Sequence, residues 1–182
     1  MNPEPTIEIA VASRVLAQAL KPLIDRASDA IKDLFAKWRN DSAIRSLAEQ
    51  LSNVAKVKTI WNIERELSLY SFYYPLNVQF TEHVAKRINC LRELGSYQNY
   101  VIEGTVGQGK SIFLRYLCAQ ELRQETTSYR IPIFVELRRI QGAVTLEQAI
   151  FDAFKRLGLA ISEDLLSYYA REGRVVLLLV RF

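Results

Sequence analysis

The sequence is poor in the residue types that usually build metal centres and hydrolytic triads. It contains one histidine, His83, and two cysteines, Cys90 and Cys118, which lie far apart in the chain. A single histidine excludes a histidine-rich zinc site and gives little support to a serine–histidine–aspartate triad. Cys118 falls within an apolar helical pattern, so we expect a reduced thiol and neither a disulfide nor a metal ligand.

Long hydrophobic runs and a targeting signal are also missing. No apolar run approaches the roughly 18 residues of a membrane span, and the first residues carry Glu4 and Glu8 where a signal peptide would be basic. The 24 basic and 20 acidic residues are interleaved, for a net charge of +4, which is typical of a solvated surface and not of a nucleic-acid-binding stripe. We therefore expect a cytoplasmic protein without a transmembrane segment or a specific nucleic-acid partner.

The sequence does contain the run GTVGQGKS, from Gly104 to Ser111, which fits the phosphate-binding pattern G-x-x-x-x-G-K-[ST]. Glycines allow the backbone conformations in which successive N–H groups converge on phosphate oxygens. Lys110 would reach the β- and γ-phosphates of a nucleotide, and the Ser111 hydroxyl would bind Mg²⁺. The predicted nucleotide-binding residues, here called the glycine loop, are Gly104, Thr105, Val106, Gly107, Gln108, Gly109, Lys110, Ser111 and Ile112.

The flanks of the glycine loop support this interpretation. Tyr100–Ile102 is an apolar run typical of a buried strand, and after the loop apolar residues recur at helical spacing. These residues are Phe113, Leu114, Leu117 and Leu122. From average glycine usage, the motif's fixed positions would fall together by chance in roughly one chain in a hundred of this length.

A second requirement of nucleotide hydrolysis is not met. A P-loop enzyme also needs an acidic residue at the end of a later apolar strand to hold Mg²⁺ or its water. Gly173–Leu179 is such a strand, but Val180, Arg181 and Phe182 follow it and no carboxylate lies beyond Glu172. We expect this chain to bind a nucleotide without hydrolysing it, unless Glu103 or Glu136 replaces the missing acid.

The N-terminal third is predicted to be helical. Apolar residues recur three and four apart from Ile9 to Trp38, with a kink or break expected near Lys21 because Pro22 cannot donate a backbone hydrogen bond. Asn40, Asp41 and Ser42 then offer caps for a second amphipathic helix with a stripe at Ile44, Leu47, Ala48, Leu51, Val54 and Ala55. A small helical bundle is favoured over a death-fold-like adaptor or a membrane-inserting effector, because such stripes are usually buried.

The remainder indicates an α/β architecture. Residues 58–80 are predicted to be a connector that ends in an extended piece, followed by a helix capped by Thr81 and stopped at Gly95. From Tyr100 the pattern reads strand, helix, strand, helix, short helix, strand, which indicates a parallel sheet. The later elements are a strand over Arg130–Leu137, a helix opened by Thr145, a short helix from Ser162 to Tyr169 and the strand Gly173–Leu179.

The predicted fold class is therefore α/β, with an N-terminal helical bundle followed by an incomplete parallel-sheet P-loop NTPase domain. The predicted units are an N-terminal helical domain over 1–58, a connector and helix over 59–95, and the partial domain over 96–182. We expect residues before Ser96 alone to form a better-behaved helical bundle than the intact chain.

The chain resembles the NACHT domain, a branch of the signal-transducing P-loop ATPases, over about residues 70–179. The resemblance lies in VIEGTVGQGKSIFLRYL, IPIFVELRRI, TLEQAIFDAF and REGRVVLLL. It implies ATP and Mg²⁺ as cofactors and a role in bacterial antiphage defence, with oligomerisation on sensing phage. The family's Asp-Gly-x-Asp-Glu signature would begin at about Val180 and is not present. A later strand of the family, which lies beside the P-loop strand, is also not encoded, so the resemblance implies a gap in the sheet and a tendency to associate.

The segment FYYPLNVQF, from Phe72 to Phe80, resembles the stretch that such proteins place before the domain, near the adenine. Tyr73, Tyr74 and Pro75 would then contact the base, and packing within a linker is the alternative.

Three functions stay open at this point. The chain is the nucleotide-binding part of a NACHT-type defence ATPase, or a short non-hydrolysing regulator that docks on full-length relatives, or another P-loop protein such as a small-molecule kinase. The helical N-terminus and the missing acid argue against the last. Nucleotide, together with a protein partner or self-association, is the predicted set of partners.

Overall fold

The computed structural model describes residues 5–26, 29, 41–59, 62–80, 85–95, 99–123, 130–140, 142, 144–156 and 162–181. Within them the protein is a mixed α/β structure of helices and three two-stranded sheets. The helices are α1 (Pro5–Arg26), α2 (Asp41–Ser52), α3 (Lys110–Glu121), α4 (Leu146–Arg156) and α5 (Glu163–Arg171). The strands are β1 (Lys56–Thr59), β2 (Asn62–Ser68), β3 (Asn77–Gln79), β4 (Ala85–Arg87), β5 (Ile131–Glu136) and β6 (Val175–Val180). No helix in these ranges is long and apolar enough to cross a membrane.

The first helix differs from its prediction at both Pro5 and Pro22. Pro5 opens α1, because the first helical position needs no backbone donor. The helix then continues through Pro22 to Arg26, so the break expected near Lys21 does not occur, and the alternative of a kink stays a prediction. Burial explains the difference: Leu16 and Leu20, in the turns before the proline, are fully buried in the packing of α1 against α2 and hold the helix in place.

The N-terminal helices share a hydrophobic core with the later half of the chain. Leu16 and Leu20 of α1 belong to the same cluster of buried residues as Ile133 of β5. The cluster also contains Leu47, Ala48 and Leu51 of α2, Ala149, Ala153 and Phe154 of α4, and Leu165 and Tyr169 of α5. The described parts of the predicted apolar stripes are therefore core, and Ile31, Leu34, Phe35 and Trp38 lie outside the described residues. The shared core argues against the expectation that residues before Ser96 are well behaved on their own, and the boundaries at 58 and 95 stay predictions.

Two hairpins replace the predicted connector and helix. β1 and β2 pair antiparallel, with Val57 opposite Leu67, and β3 and β4 pair antiparallel, with Asn77 opposite Arg87. The helix predicted up to Gly95 is thus wrong over β4, and only a 3-10 turn over Leu91–Leu94 is helical, with Gly95 ending it at φ 115°. Pairing with β3 supplies backbone hydrogen bonds that override the helical spacing of the apolar residues. Thr81 and His83 lie outside the described residues.

The parallel pair β5–β6 confirms the predicted α/β character of the C-terminal half. Ile131 lies opposite Val175 and Glu136 opposite Val180. Successive residues of the strands pack on opposite faces of the sheet. Ile133 and Val135 pack in the core with α1, α2, α4 and α5. Phe134, Val176 and Leu178 pack with α3 on the other face. Helices therefore pack on both faces of β5, whereas Leu177 and Leu179 of β6 stay exposed.

The strand predicted at Tyr100–Ile102 does not form. Residues 99–105 carry no strand assignment, although Tyr100 and Ile102 pack against the cluster of α3. A strand requires a backbone partner, and within the described residues β5 and β6 pair only with each other. Tyr100 and Ile102 thus keep the apolar packing of the predicted P-loop strand, whereas Val101 is 87% exposed, and the segment pairs with neither β5 nor β6.

The caps predicted for α4 and α5 are confirmed. The Thr145 hydroxyl accepts a hydrogen bond from the Gln148 backbone N–H at 3.1 Å, and the Ser162 hydroxyl accepts one from the Leu165 N–H at 3.3 Å. Each satisfies a donor that has no partner within the helix.

Candidate phosphate-binding loop

The glycine loop enters α3 through two glycines in left-handed conformations. Gly107 has a φ of 86° and Gly109 a φ of 78°, values that residues with a Cβ adopt at a cost. Gly109 immediately precedes α3, and no side chain caps the helix. The first helical hydrogen bond runs from the Phe113 N–H to the Gly109 carbonyl, 2.8 Å away. The N–H groups of Lys110, Ser111 and Ile112 therefore have no acceptor within the helix and lie at its positive end.

Gln108 folds back over the start of the loop. Its side-chain oxygen accepts a hydrogen bond from the Thr105 backbone N–H at 2.8 Å, and the Gln108 N–H lies 3.4 Å from the Thr105 carbonyl. A Cβ atom at Gly104 would overlap the same Gln108 oxygen. A side chain at position 104 would therefore displace the flexible end of Gln108, whereas positions 107 and 109 favour glycine by their backbone conformation.

Lys110 holds its ammonium group over the loop. Its Nζ atom donates hydrogen bonds to the carbonyl oxygens of Gly104, at 2.6 Å, and Thr105, at 2.7 Å. The loop thus carries an ammonium group held on its own backbone and, in the next residues, helix N–H groups without an acceptor, which are the kinds of group that bind an anion.

The opposite side of α3 anchors this arrangement. Phe113, Leu117 and Cys118 are buried against the sheet, so the position of the loop is set by a packed helix. Val106, at the tip, is fully exposed. Burial raises the pKa of the Cys118 thiol to about 12, and Cys90 and Cys118 are both free, as predicted.

Glu136, the last residue of β5, is a buried carboxylate. One carboxylate oxygen of Glu136 lies 3.3 Å from the guanidinium of Arg115 in α3. The other lies 3.2 Å from the guanidinium of Arg138. Arg115 also lies over the ring of Phe134, at 4.9 Å. The sequence indicates Glu136 only as a possible replacement acid. Its two arginine partners are not predictable from sequence, because a pair two residues apart and a pair between two elements leave no periodic pattern. Its charge is thus already balanced.

Two of the candidate adenine contacts, Tyr73 and Tyr74, differ in their exposure to solvent. The ring of Tyr73 packs on Tyr116 of α3, with centroids 4.4 Å apart, and burial raises its pKa to about 12. Tyr74 is 66% exposed, beneath the guanidinium of Arg87 at 4.6 Å. Tyr73 therefore acts as packing between the connector and α3, which favours the linker interpretation for this residue.

Metal ligands can be sought only among the described residues. In those ranges no three histidine, cysteine, aspartate or glutamate side chains lie together in a way that could hold a metal ion. Ser111 lies in the first turn of α3, at the position that the motif assigns to Mg²⁺.

Comparison with known proteins adds no assignment. No family model, no curated protein and no solved structure matches this chain.

Proposed function

We propose that the chain binds the phosphate groups of a nucleotide, ATP by its resemblance, at the glycine loop, as the nucleotide-binding portion of a NACHT-type signalling NTPase of antiphage defence. The observation that carries the proposal is the coincidence of three features at one place. These are two left-handed glycines, an uncapped helix N-terminus and the Lys110 ammonium beside it. Each is a known element of phosphate recognition, and together they match the motif's chemistry.

The backbone and the Lys110 side chain have different roles in the proposed binding. Backbone N–H groups from Gly107 to Ile112 would donate to phosphate oxygens, and Lys110 would leave the Gly104 and Thr105 carbonyls for the β- and γ-phosphates. This exchange is favourable because a charge-assisted hydrogen bond to a phosphate is stronger than one to a neutral carbonyl.

Mg²⁺ fits the site only in part. The Ser111 hydroxyl would supply one ligand, and the nearest candidate acid on the sheet, Glu136, is bound by two arginines. We therefore propose binding without hydrolysis for this chain.

Titration calorimetry with MgATP tests the proposal. Lys110→Ala should lose most of the binding, and Gly109→Ala should lose a similar amount through strain at φ 78°. Lys58→Ala, which removes an exposed lysine of β1, is the matched control and should bind like the wild type. Equal affinities of wild type and Lys110→Ala, with unchanged circular dichroism, would refute the assignment.

A second candidate is a non-hydrolysing interaction module that docks on full-length relatives. The observation that favours it is the open edge of β6, which presents backbone groups to a partner independently of any nucleotide.

A further inference from the structure

One edge of β6 is paired with β5, and the other is open within the part of the chain that the structure describes. The Ile131 N–H donates to the Arg174 carbonyl at 2.7 Å, and Ile131 lies opposite Val175. Hydrogen bonds of a parallel pair alternate along each strand, so this bond fixes which residues face which side. Backbone groups of Arg174, Val176, Leu178 and Val180 point to β5, and those of Val175, Leu177 and Leu179 point to the open edge.

A groove of about 890 Å³ runs beside this open edge. We call it the strand groove. All of β6 lines one side, Tyr100–Ile102 lines another, and Leu114 and Leu117 of α3 also contribute. Its volume lies within the range of well-formed ligand sites, and β6, with six residues, offers about 20 Å of strand for pairing.

The open backbone groups and the exposed side chains belong to the same residues. Leu177 is 42% exposed and Leu179 is 37% exposed, whereas Leu178, between them, is buried. Leu177 and Leu179 therefore offer both unpaired backbone groups and uncovered apolar surface, the two features that strand addition uses.

The charge of the strand groove has one sign. Among the described residues its lining includes Arg92, Lys110, Arg181 and Arg130, the last of which pairs with Glu121, and no acidic residue. An occupant with carboxylates at its ends would complement this charge, and apolar side chains in its middle would cover the two leucines.

We propose that the strand groove binds an extended segment of a partner protein, which adds to the sheet as a strand beside β6. The segment is apolar and β-branched in its middle and acidic at its ends. A second copy of β6 fits poorly, because its other edge carries β5 and the groove is bounded on its far side by Tyr100–Ile102. The occupant must be a single strand with both edges free.

A displayed library of random twelve-residue peptides, selected on the immobilised full chain, supplies the probe. Selected peptides should share an apolar middle with acidic ends. Their affinity should fall by at least about tenfold for Leu177→Asp and less for Leu177→Thr, which keeps strand propensity. Leu146→Asp is the matched control, since Leu146 is also 42% exposed but lies on α4, and it should bind like the wild type.

Amide hydrogen exchange read by NMR tests the pairing itself. The selected peptide should slow exchange at Leu177 and Leu179 and leave Val176 and Leu178, already bonded to β5, unchanged. Gly109→Ala should bind the peptide normally, which separates this proposal from nucleotide binding. A library without enriched sequences, peptides that bind Leu177→Asp equally well, or a dimer of the chain that already protects Leu177 and Leu179 would each overturn the proposal.

Discussion

The side-chain oxygen of Gln108 lies 2.8 Å from the backbone nitrogen of Thr105, three residues earlier in the glycine loop. It accepts a hydrogen bond that a phosphate oxygen could otherwise accept. Gln108→Ala should therefore bind MgATP as well as the wild type or a few-fold more tightly, since one donor is released. Gln108→Glu should bind about tenfold more weakly, because it keeps the acceptor but places a negative charge beside the phosphates. Calorimetry on the two variants measures both effects. A loss in Gln108→Ala as large as that in Gln108→Glu would mean that the side chain orders the loop.

Phosphate release should be absent when the chain is mixed with MgATP. Ser111 would be the metal's protein ligand. Of the two candidate replacement acids, Glu136 is held by Arg115 and Arg138, whereas Glu103 is exposed just before the loop and belongs to no metal-ligating cluster among the described residues. A colorimetric phosphate assay over hours measures this. Release that stops in both Ser111→Ala and Glu136→Gln proteins would contradict the prediction and identify Glu136 as the replacement acid.

The pair of Glu121 and Arg130 should contribute strongly to stability. The Glu121 side chain is only 5% exposed, and both the Nε and the terminal nitrogen of Arg130 lie 2.7 Å from the same carboxylate oxygen. Arg130→Met should lower the free energy of unfolding by about 2 kcal/mol, because it leaves a buried carboxylate unpaired while the partly exposed site admits some water. The double variant Glu121→Leu/Arg130→Met should recover most of that loss.

Urea denaturation measures these differences. Arg45→Met removes the exposed pair with Glu49 and serves as the control, with a change below about 0.5 kcal/mol. If the single and double variants lose the same stability, the pair is not coupled as the distances indicate.

Stability should fall at alkaline pH. Burial raises the pKa of Cys118 from 9.0 to about 12 and that of Tyr73 from 10.0 to about 12. The unfolded chain therefore releases these protons at lower pH than the folded chain, so stability is complete below about pH 9 and declines as the pH rises towards 12. Denaturant midpoints measured from pH 8 to pH 11 give the change of stability with pH. Cys118→Ala should make this pH dependence weaker. An unchanged pH dependence would show that ionisation of the Cys118 thiol does not contribute to it.

A fragment of residues 1–95 should be less cooperative than the whole chain. It would keep α1 and α2 but lose Ile133, Phe154 and the other partners of their buried stripe. Thermal unfolding followed by circular dichroism should show a broad transition and dye binding to exposed apolar surface. A sharp transition in the fragment would restore the original expectation of an independent bundle.

Local signals predicted the elements of the C-terminal half well. Thr145 and Ser162 start α4 and α5 as their chemistry indicates, and the continuous apolar runs of β5 and β6 become a parallel pair. The predicted glycine loop directly precedes a helix, as its motif requires, and its role in binding a nucleotide stays a prediction. The bonds of Gln108 and Lys110 within the loop were not predicted, since they depend on loop geometry that no periodicity encodes.

The two hairpins were missed because their strands lack an apolar signature. β2 contains Glu64, Arg65 and Glu66 in succession, a composition with ordinary helix propensity, and it is a strand because it pairs with β1. Likewise, Ile88, Leu91 and Leu94 are spaced as on a helix, yet β4 pairs with β3 and the Glu93 carboxylate accepts a hydrogen bond from the Asn89 N–H at 2.6 Å. Tertiary pairing overrides local preference in both cases.

The core shared by the N-terminal helices and β5 also bears on the synthesis of the protein. Leu16 and Leu20 are made early, and Ile133, which belongs to the same cluster, is made more than half a chain later. Because ribosomes add about 5–20 residues each second, this delay is on the order of seconds. During that time the stripe of α1 has only α2 to cover it. The emerging chain is thus expected to expose this apolar stripe until after the glycine loop has been made.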